Sequence, residues 1–311
     1  MRAIDPCQQE RTQVAEGGSV MRMNRRRFLS ISAAMAATPA WAGVHSWHGR
    51  ALGADVSLKI RGARGASVAI LAQMRALLTE VEQLFSLYDP SSAVVRLNNE
   101  GVLDNPPEQF TALMAAADTA HTITDGLFDP TVQPLWRAMA EGRDVELARS
   151  AIGWDRVQWD ASRVRLGAGQ ALTFNGIAQG FATDLVTEHL SASGLTDVLV
   201  NIGEYRTIGG TWRLGISDPQ HGQLGMRTLS RGAIATSSPS AMALGDQAHI
   251  LHSEAYPRWS TVSVEAETAT LADCLSTALC LAPRQMIERV RATPRVKRIT
   301  LVDSEGNLTS L

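Results

Sequence analysis

The chain has 311 residues, of which 45% are hydrophobic and 19% charged, so it can build a sizeable core and is not disordered throughout. Its 29 Lys and Arg against 31 Asp and Glu give a formal net charge of -2, which argues against nucleic acid as the main partner. Three cysteines, Cys7, Cys274 and Cys280, are too few for a disulfide framework, and the last two lie in an apolar stretch that predicts buried thiols.

Residues 1–43 carry the pattern of an export signal. Three arginines at 25–27 precede an apolar run at 28–37, and Ala40-Trp41-Ala42 follows as a small-x-small cleavage site. This layout predicts a secretory signal, and the arginine pair before phenylalanine and leucine resembles a twin-arginine signal. The apolar run is shorter than the roughly 20 residues of a membrane span, so we expect no stable membrane insertion. We therefore expect a periplasmic protein with its folded domain at 44–311.

The rest of the chain alternates predicted strands and helices irregularly. In chain order the patterning predicts a strand at 51–61, helices at 66–87 and 108–123, a hairpin of short strand-like runs over 152–174, a helix at 178–192, strands at 198–202, 212–216, 232–236 and 261–264, helices at 271–281 and 284–290, and a strand at 299–302. Because strands occur in hairpins as well as beside helices, and no long period repeats, the order favours an α+β fold over a doubly wound parallel sheet.

Two segments carry groups that could bind an ion. Asn175-Gly176 joins a strand end to the start of a helix, where phosphate is favoured, although a tight turn accounts equally for the glycine. Asp273 and Thr277 lie four apart on a predicted helix and share one face. They could ligate a hard cation such as Mg²⁺, or they could be a helix-start acid and a threonine bonded to the i−4 carbonyl.

Other polar residues leave a ligand role and a structural role open. Asp129 could bond a ribose or an amine, or it could cap an Asx turn. Tyr88, at a helix end, could stack on a planar ring or simply lie exposed, and His249 could be a base or a structural imidazole. The chain has no GxGxxG, P-loop, G-x-S-x-G or H-E-x-x-H motif, so dinucleotide-fold, kinase, serine hydrolase and zinc-site interpretations lack support.

Seven short blocks resemble those of the ApbE family and occur in the same order. The blocks are Phe85-Ser86-Leu87-Tyr88 with 91–98, Gly126-Leu127-Phe128-Asp129-Pro130-Thr131-Val132-Gln133-Pro134-Leu135, Asn175-Gly176-Ile177-Ala178-Gln179-Gly180-Phe181-Ala182-Thr183-Asp184, Asn201-Ile202-Gly203-Glu204, Ile234-Ala235-Thr236-Ser237, His249-Ile250-Leu251, and Ala272-Asp273-Cys274-Leu275-Ser276-Thr277-Ala278-Leu279. Together they span about residues 50–280.

The resemblance implies a T-fold-like α+β domain, with antiparallel sheets and packed helices, that acts as a periplasmic FAD:protein FMN transferase. Such an enzyme binds FAD and Mg²⁺, splits FAD, and links FMN by a phosphoester bond to a Thr or Ser of an exported respiratory electron-transfer protein, releasing AMP. The positions that the resemblance assigns to FAD binding are Tyr88, Leu127, Phe128, Asp129, Thr173, Gln179 and Ile250. It assigns metal ligation to Asp273, Thr277 and the Gly176 carbonyl, and His249 is our candidate base.

Four departures from the family pattern lie near the expected diphosphate and acceptor side. Gln179 replaces a lysine, Thr173 replaces an aspartate, residues 252–256 replace D-P-x-T-G, and residues 201–204 lack a second glycine. These departures leave two alternatives to transfer, namely a periplasmic FAD carrier without turnover and an FAD pyrophosphatase that uses water. The Gln179 form also resembles the branch tied to flavin supply for nitrous oxide respiration.

Overall fold

The computed structural model describes residues 43–62, 65–245 and 247–311, so almost all of the predicted export signal lies outside the described residues. The strands of the described part are β1 (Val44–Ala51), β2 (Ala54–Arg61), β3 (Val102–Asp104), β4 (Gln158–Trp159), β5 (Arg163–Arg165), β6 (Val198–Ile202), β7 (Tyr205–Ile208), β8 (Trp212–Asp218), β9 (Gly222–Leu229), β10 (Gly232–Ser237), β11 (Ala243–Leu244), β12 (Gln247–Ala248), β13 (Thr261–Ala266), β14 (Val296–Val302) and β15 (Leu308–Ser310). The helices of this part are α1 (Val68–Phe85), α2 (Ala93–Glu100), α3 (Glu108–Ile123), α4 (Gln133–Glu141), α5 (Val145–Ser150), α6 (Ala178–Ala192), α7 (Ala269–Leu279) and α8 (Arg284–Arg291).

An antiparallel sheet of eight strands forms the centre of the described part, in the order β1-β2-β6-β7-β10-β13-β14-β15. Smaller sheets are formed by β3-β5-β4, β8-β9 and β11-β12. Nearly every residue of β6, β10 and β13 is buried, and because successive side chains point to opposite faces, both faces of the sheet are covered there. This combination of antiparallel sheets and packed helices confirms the predicted α+β class.

Helices α6 and α7 are held together at a point of close approach. A Cβ on Gly180 would lie 2.4 Å from the Ala269 carbonyl oxygen, so only glycine fits there. The Gly180 N–H donates to Asp273 Oδ2 at 2.9 Å. Asp184 of α6 accepts bonds from the Ala269 and Thr270 backbone N–H groups, at 2.8 and 2.9 Å, and so caps the N-terminus of α7. This junction fixes α7 relative to α6.

An aromatic cluster joins α1 and α3 to the segment before α6. Phe85 at the end of α1 stacks on Phe110 of α3 with ring centroids 5.4 Å apart, and it meets Phe174 edge-on at 5.2 Å. Such offset and edge-on pairs contribute roughly 1 kcal/mol each beyond the area they bury. The cluster therefore anchors the backbone just before Gly176, which lies two residues ahead of the start of α6 at Ala178.

Most predicted helices have the expected bounds, and α3 and α6 match theirs at both ends. The predicted strand-like run at 171–174 is wrong, because its backbone bonds leave the sheet. The Asn98 side chain bonds both backbone groups of Leu172, at 2.7 and 2.9 Å, and the Thr173 N–H donates to the Pro130 carbonyl at 2.9 Å. Cys274 and Cys280 are buried free thiols, as predicted. In the described ranges no helix is both long and apolar enough to span a membrane.

Candidate active site

A pocket beside α7 is lined by two sets of residues, an apolar set that we call the apolar wall and a polar set that we call the polar end. The apolar wall comprises Leu127, Phe128, Trp136, Met242, Ile250 and Leu251. The polar end comprises Thr173, Gly176, Gln179, Glu204, Ser237, Asp273 and Thr277. A pocket divided in this way suits a ligand that joins a planar apolar ring to a charged group.

Two imidazoles hold the loop that supplies Leu127 and Phe128 to the wall. His121 donates from Nδ1 to the Phe128 carbonyl oxygen at 2.9 Å. His252 accepts two backbone N–H groups at Nδ1, at 3.1 Å each, so its proton is on Nε2 and is donated to the Gly126 carbonyl oxygen at 3.2 Å. Burial lowers the pKa of His252, which favours this neutral form. His252 belongs to the segment that departs from the family pattern.

Asp129 caps the turn that follows this loop. Its Oδ1 accepts the Thr131 N–H at 2.8 Å and the Thr131 hydroxyl at 2.6 Å. The Asx-turn alternative is therefore confirmed. Asp129 also lines the pocket, so its role toward a ligand stays a prediction.

His249 is a neutral imidazole at the edge of the apolar wall. Its Nδ1 donates to the carbonyl oxygens of Pro239 and Met242, at 3.0 and 3.2 Å. Burial lowers the pKa of His249 from its ordinary value, and the two backbone bonds only partly oppose that effect. The Nδ1–H tautomer leaves the lone pair on Nε2, which is the form that can accept a proton.

Asp273, Thr277 and the Gly176 backbone form a set of oxygen donors that fits a small hard cation. Asp273 and Thr277 are one helical turn apart on α7, and both line the pocket. The chain at Gly176 comes so close that a Cβ there would lie 3.1 Å from Thr277 Oγ1. Within the described residues no three His, Cys, Asp or Glu side chains gather around one point. A cation here would take its other ligands from substrate or water, as Mg²⁺ prefers.

Glu204 is a second buried carboxylate at the polar end. It lies in the two-residue turn between β6 and β7 and is only 2% exposed, and its Oε2 accepts the Thr236 N–H at 3.2 Å. Burial raises the pKa of Asp273 to about 7, and burial together with the charge of Asp273 raises the pKa of Glu204 well above its usual range. A divalent cation would offset this negative charge and favour both ionised forms.

In the part of the chain that the structure describes, the pocket lining contains acidic side chains and a histidine, but no Lys or Arg. The three carboxylates are those of Asp129, Glu204 and Asp273. Gln179, at the family lysine position, donates from Nε2 to the Leu52 carbonyl oxygen at 3.5 Å. An anionic ligand in this pocket consequently needs a cation that the side chains do not supply.

The structure brings together all but one of the predicted site residues. Tyr88 lies outside the pocket lining and its side chain is 61% exposed, so its predicted contact with FAD stays a prediction. The remaining ten line the pocket, namely Leu127, Phe128, Asp129, Thr173, Gly176, Gln179, His249, Ile250, Asp273 and Thr277. Thr173 also accepts the Asn175 N–H at 3.2 Å, which shapes the turn into α6.

Sequence reasoning missed several pocket residues. Trp136 of α4 and Met242 complete the apolar wall, Glu204 adds the second buried carboxylate, and His252 fixes the loop at Gly126. Glu204 could have been found from its position, since a carboxylate two residues after a buried strand stands out. Trp136 and Met242 carry no such signal, because only the tertiary packing brings them together.

The fold and the pocket define an α+β protein whose pocket combines apolar side chains with oxygen donors that suit a hard cation. The profile of the ApbE family matches residues 52–299, and the chain belongs to this family. It is 27% identical over 217 residues to an FAD:protein FMN transferase of Rhodobacter capsulatus, which covers 60% of this chain and 40% of that protein. The match therefore spans less than half the length of that curated relative.

Solved structures share the fold over most of the chain. The apo flavinyl transferase ApbE of Pseudomonas stutzeri superposes with a TM-score of 0.74 at 25% identity, covering 86% of this chain and 94% of that one. The ApbE protein of Thermotoga maritima superposes with a TM-score of 0.76 at 24% identity, covering 86% and 96%. The expected family and fold are thereby confirmed.

Proposed function

We propose that the chain is an Mg²⁺-dependent FAD:protein FMN transferase. The observation that carries this proposal is the pocket, which joins an apolar wall to a polar end with buried carboxylates and no cationic side chain. FAD has the matching chemistry, with planar rings and an anionic diphosphate. The name of the Rhodobacter capsulatus relative supports the same activity.

The reaction joins a Thr or Ser hydroxyl of an acceptor protein to FMN. The hydroxyl oxygen bonds to the phosphorus of the FMN half, the bond from that phosphorus to the bridging oxygen breaks, and AMP leaves with the bridging oxygen. His249 Nε2 accepts the hydroxyl proton, because its Nδ1–H is held by two carbonyl groups. Leu127 and Phe128 of the apolar wall, together with the neighbouring Asp129, would hold the adenosine part.

Asp273, Thr277 and the Gly176 carbonyl would hold the metal ion. When bound there, Mg²⁺ would supply a Lewis acid that offsets the negative charge on the leaving group. Gly180 orients Asp273 through its N–H, and the bound cation would favour the ionised form of Glu204, whose pKa burial and Asp273 raise.

The test is one incubation of the chain with FAD, Mg²⁺ and a candidate acceptor domain, followed by a denaturing gel viewed for flavin fluorescence. We expect a fluorescent acceptor band that disappears with EDTA, with Asp273→Ala, and when the acceptor Thr or Ser is replaced by Ala. If none of several acceptor domains becomes fluorescent, and AMP is released even when no acceptor is added, the chain would instead be an FAD pyrophosphatase.

An FAD carrier without turnover is the second candidate, and Gln179 favours it. The lysine of the family pattern is absent, and the lining supplies no replacement cation. FAD that co-purifies with the chain while neither AMP nor a labelled acceptor forms would support the carrier. The link to nitrous oxide respiration stays a prediction that rests on Gln179 alone.

We also propose that the chain works in the periplasm after export by the twin-arginine route. The support is the arginine cluster at 25–27 with the cleavage pattern at 40–42. Replacing Arg25 and Arg26 together by lysine should retain the chain in the cytoplasm, as measured by cell fractionation. Periplasmic chain at the wild-type level in this variant would contradict the route.

A further inference from the structure

Three hydroxyl groups form a chain that ends at the candidate metal ligand Thr277. Ser237 ends β10 and lines the pocket, and the adjacent residues Ser276 and Thr277 lie on α7. Ser237 Oγ is 2.8 Å from Ser276 Oγ and 3.3 Å from Thr277 Oγ1. Ser276 Oγ in turn lies 3.0 Å from the Asp273 carbonyl oxygen.

Each hydroxyl group has one proton, and this fixes which hydroxyl donates and which accepts in each of these hydrogen bonds. The Asp273 carbonyl can only accept, so Ser276 spends its single hydroxyl proton there. Ser237 must then be the donor in its bond to Ser276, which uses its own proton. The remaining contact is satisfied only if Thr277 donates to Ser237. The Thr277 hydroxyl proton thus points toward β10.

The spacing between β10 and α7 that this chain requires is held independently. The Cys280 thiol lies 3.5 Å from the Ser237 carbonyl oxygen and 3.3 Å from the Ser276 carbonyl oxygen, so it bridges the strand and the helix. Cys280 and Ser276 are both fully buried. Neither serine is therefore free to move away from Thr277 without disturbing a packed contact.

A neutral hydroxyl ligates a cation through a lone pair, so its proton must be directed elsewhere. Without Ser237 as acceptor, the Thr277 hydroxyl would turn to the i−4 carbonyl of its own helix. We propose that Ser237 and Ser276 are positioning residues that orient the Thr277 hydroxyl for metal binding, a role that rests on the proposed metal site. Ser276 does not line the pocket, so it acts on Thr277 through its hydrogen bond with Ser237.

The test measures Mn²⁺ binding to the full chain, without FAD, from the electron paramagnetic resonance signal of free Mn²⁺. Ser237→Ala and Ser276→Ala should each weaken binding about 3- to 10-fold, the effect of one hydrogen bond. Ser237→Thr retains a hydroxyl and should bind within about 2-fold of wild type. Ser263→Ala is the matched control, because that buried serine bonds Thr236 at 2.9 Å and does not line the pocket.

The outcomes separate the two proposals. If Mn²⁺ does not bind wild type, or binds Asp273→Ala equally well, the metal site itself is wrong and the positioning role falls with it. If wild type binds and Asp273→Ala does not, while Ser276→Ala binds like wild type, only the positioning role is overturned. Melting temperatures without metal show whether each variant is folded, so a general loss of structure is recognised. Weaker binding by a fully folded Ser276→Ala supports the hydroxyl chain.

Discussion

His249 shows how backbone contacts set the chemistry of one side chain. Two carbonyl groups hold its Nδ1–H, and burial disfavours the charged imidazolium. Both effects leave Nε2 with a lone pair at neutral pH. A solvent-exposed histidine, which titrates near 6.5, would be partly protonated over the same range.

At saturating Mg²⁺, which would keep Asp273 ionised, the rate of FMN transfer should therefore fall only below pH 6.5. Because burial lowers the pKa of His249, the neutral base predominates at higher pH and is lost as the pH drops through the lowered pKa. Initial rates measured from about pH 5 to about pH 8 should show this acidic limb. His249→Ala should remove the limb and reduce the rate at least about 100-fold.

The exposed His48 on β1 provides the control for this profile. His48→Ala should keep the wild-type rate and the same acidic limb, because it lies outside the pocket lining. An acidic limb centred above pH 6.5, or one that persists unchanged in His249→Ala, would rule out His249 as the base.

At the scale of elements, the contact between α6 and α7 determines where the candidate metal ligands stand. Gly180→Ala should destabilise the chain by about 1–3 kcal/mol, because a Cβ there would meet the Ala269 carbonyl at 2.4 Å and the Asp273 Cβ at 2.7 Å. Alanine is otherwise favoured over glycine inside a helix by about 1 kcal/mol. Gly225→Ala on β9, where a Cβ meets nothing within 4 Å, should leave the free energy of unfolding nearly unchanged. Urea titration of both variants measures the two free energies. A stabilised Gly180→Ala would show that the helices can separate freely.

The cap that Asp184 provides for α7 leads to a second stability prediction. Asp184→Ala should cost about 2–4 kcal/mol, because it exposes the α7 N–H groups to the interior and leaves Arg206 without its 2.6 Å partner. Glu188→Ala removes the other, largely exposed partner of Arg206 and should change stability by less than about 0.5 kcal/mol. Equal losses in the two variants would show that the cap adds nothing beyond the ion pair.

Sequence patterning predicted those elements whose burial repeats along the chain. Helix α3 has its buried apolar residues on one face, and α6 begins shortly after the Asn175-Gly176 turn. The sequence therefore indicated the bounds of both helices. Strand β1 was missed because it is mostly exposed and pairs only with β2 at the edge of the sheet. The run at 171–174 has strand-like residues, but the backbone N–H and C=O groups of Leu172 bond to the Asn98 side chain and not to a neighbouring strand. Asn98 is 74 residues away in sequence, so local patterning could not reveal this contact.

At the scale of the whole molecule, the pocket exists only because distant segments converge on α7. The family resemblance assigned Asp273 and Thr277 to a metal site, His249 was our candidate base, and the fold brings all three to one pocket. The resemblance could not indicate that the lining would contain three carboxylates and no Lys or Arg, since that depends on which neighbours the fold selects. This charge balance is the feature that ties anion binding to a cation.

The central claim is that this pocket binds the FAD diphosphate only together with a divalent cation. The direct measurement is a calorimetric titration of the full chain with FAD, with Mg²⁺ present and again with EDTA, for wild type and Asp273→Asn. We predict that Mg²⁺ tightens FAD binding to wild type at least about 10-fold, which corresponds to roughly 1.4 kcal/mol, the contribution of one strong charge-assisted contact. The affinity of Asp273→Asn for FAD should be the same with Mg²⁺ and with EDTA. FAD that binds wild type equally tightly in EDTA would contradict the account.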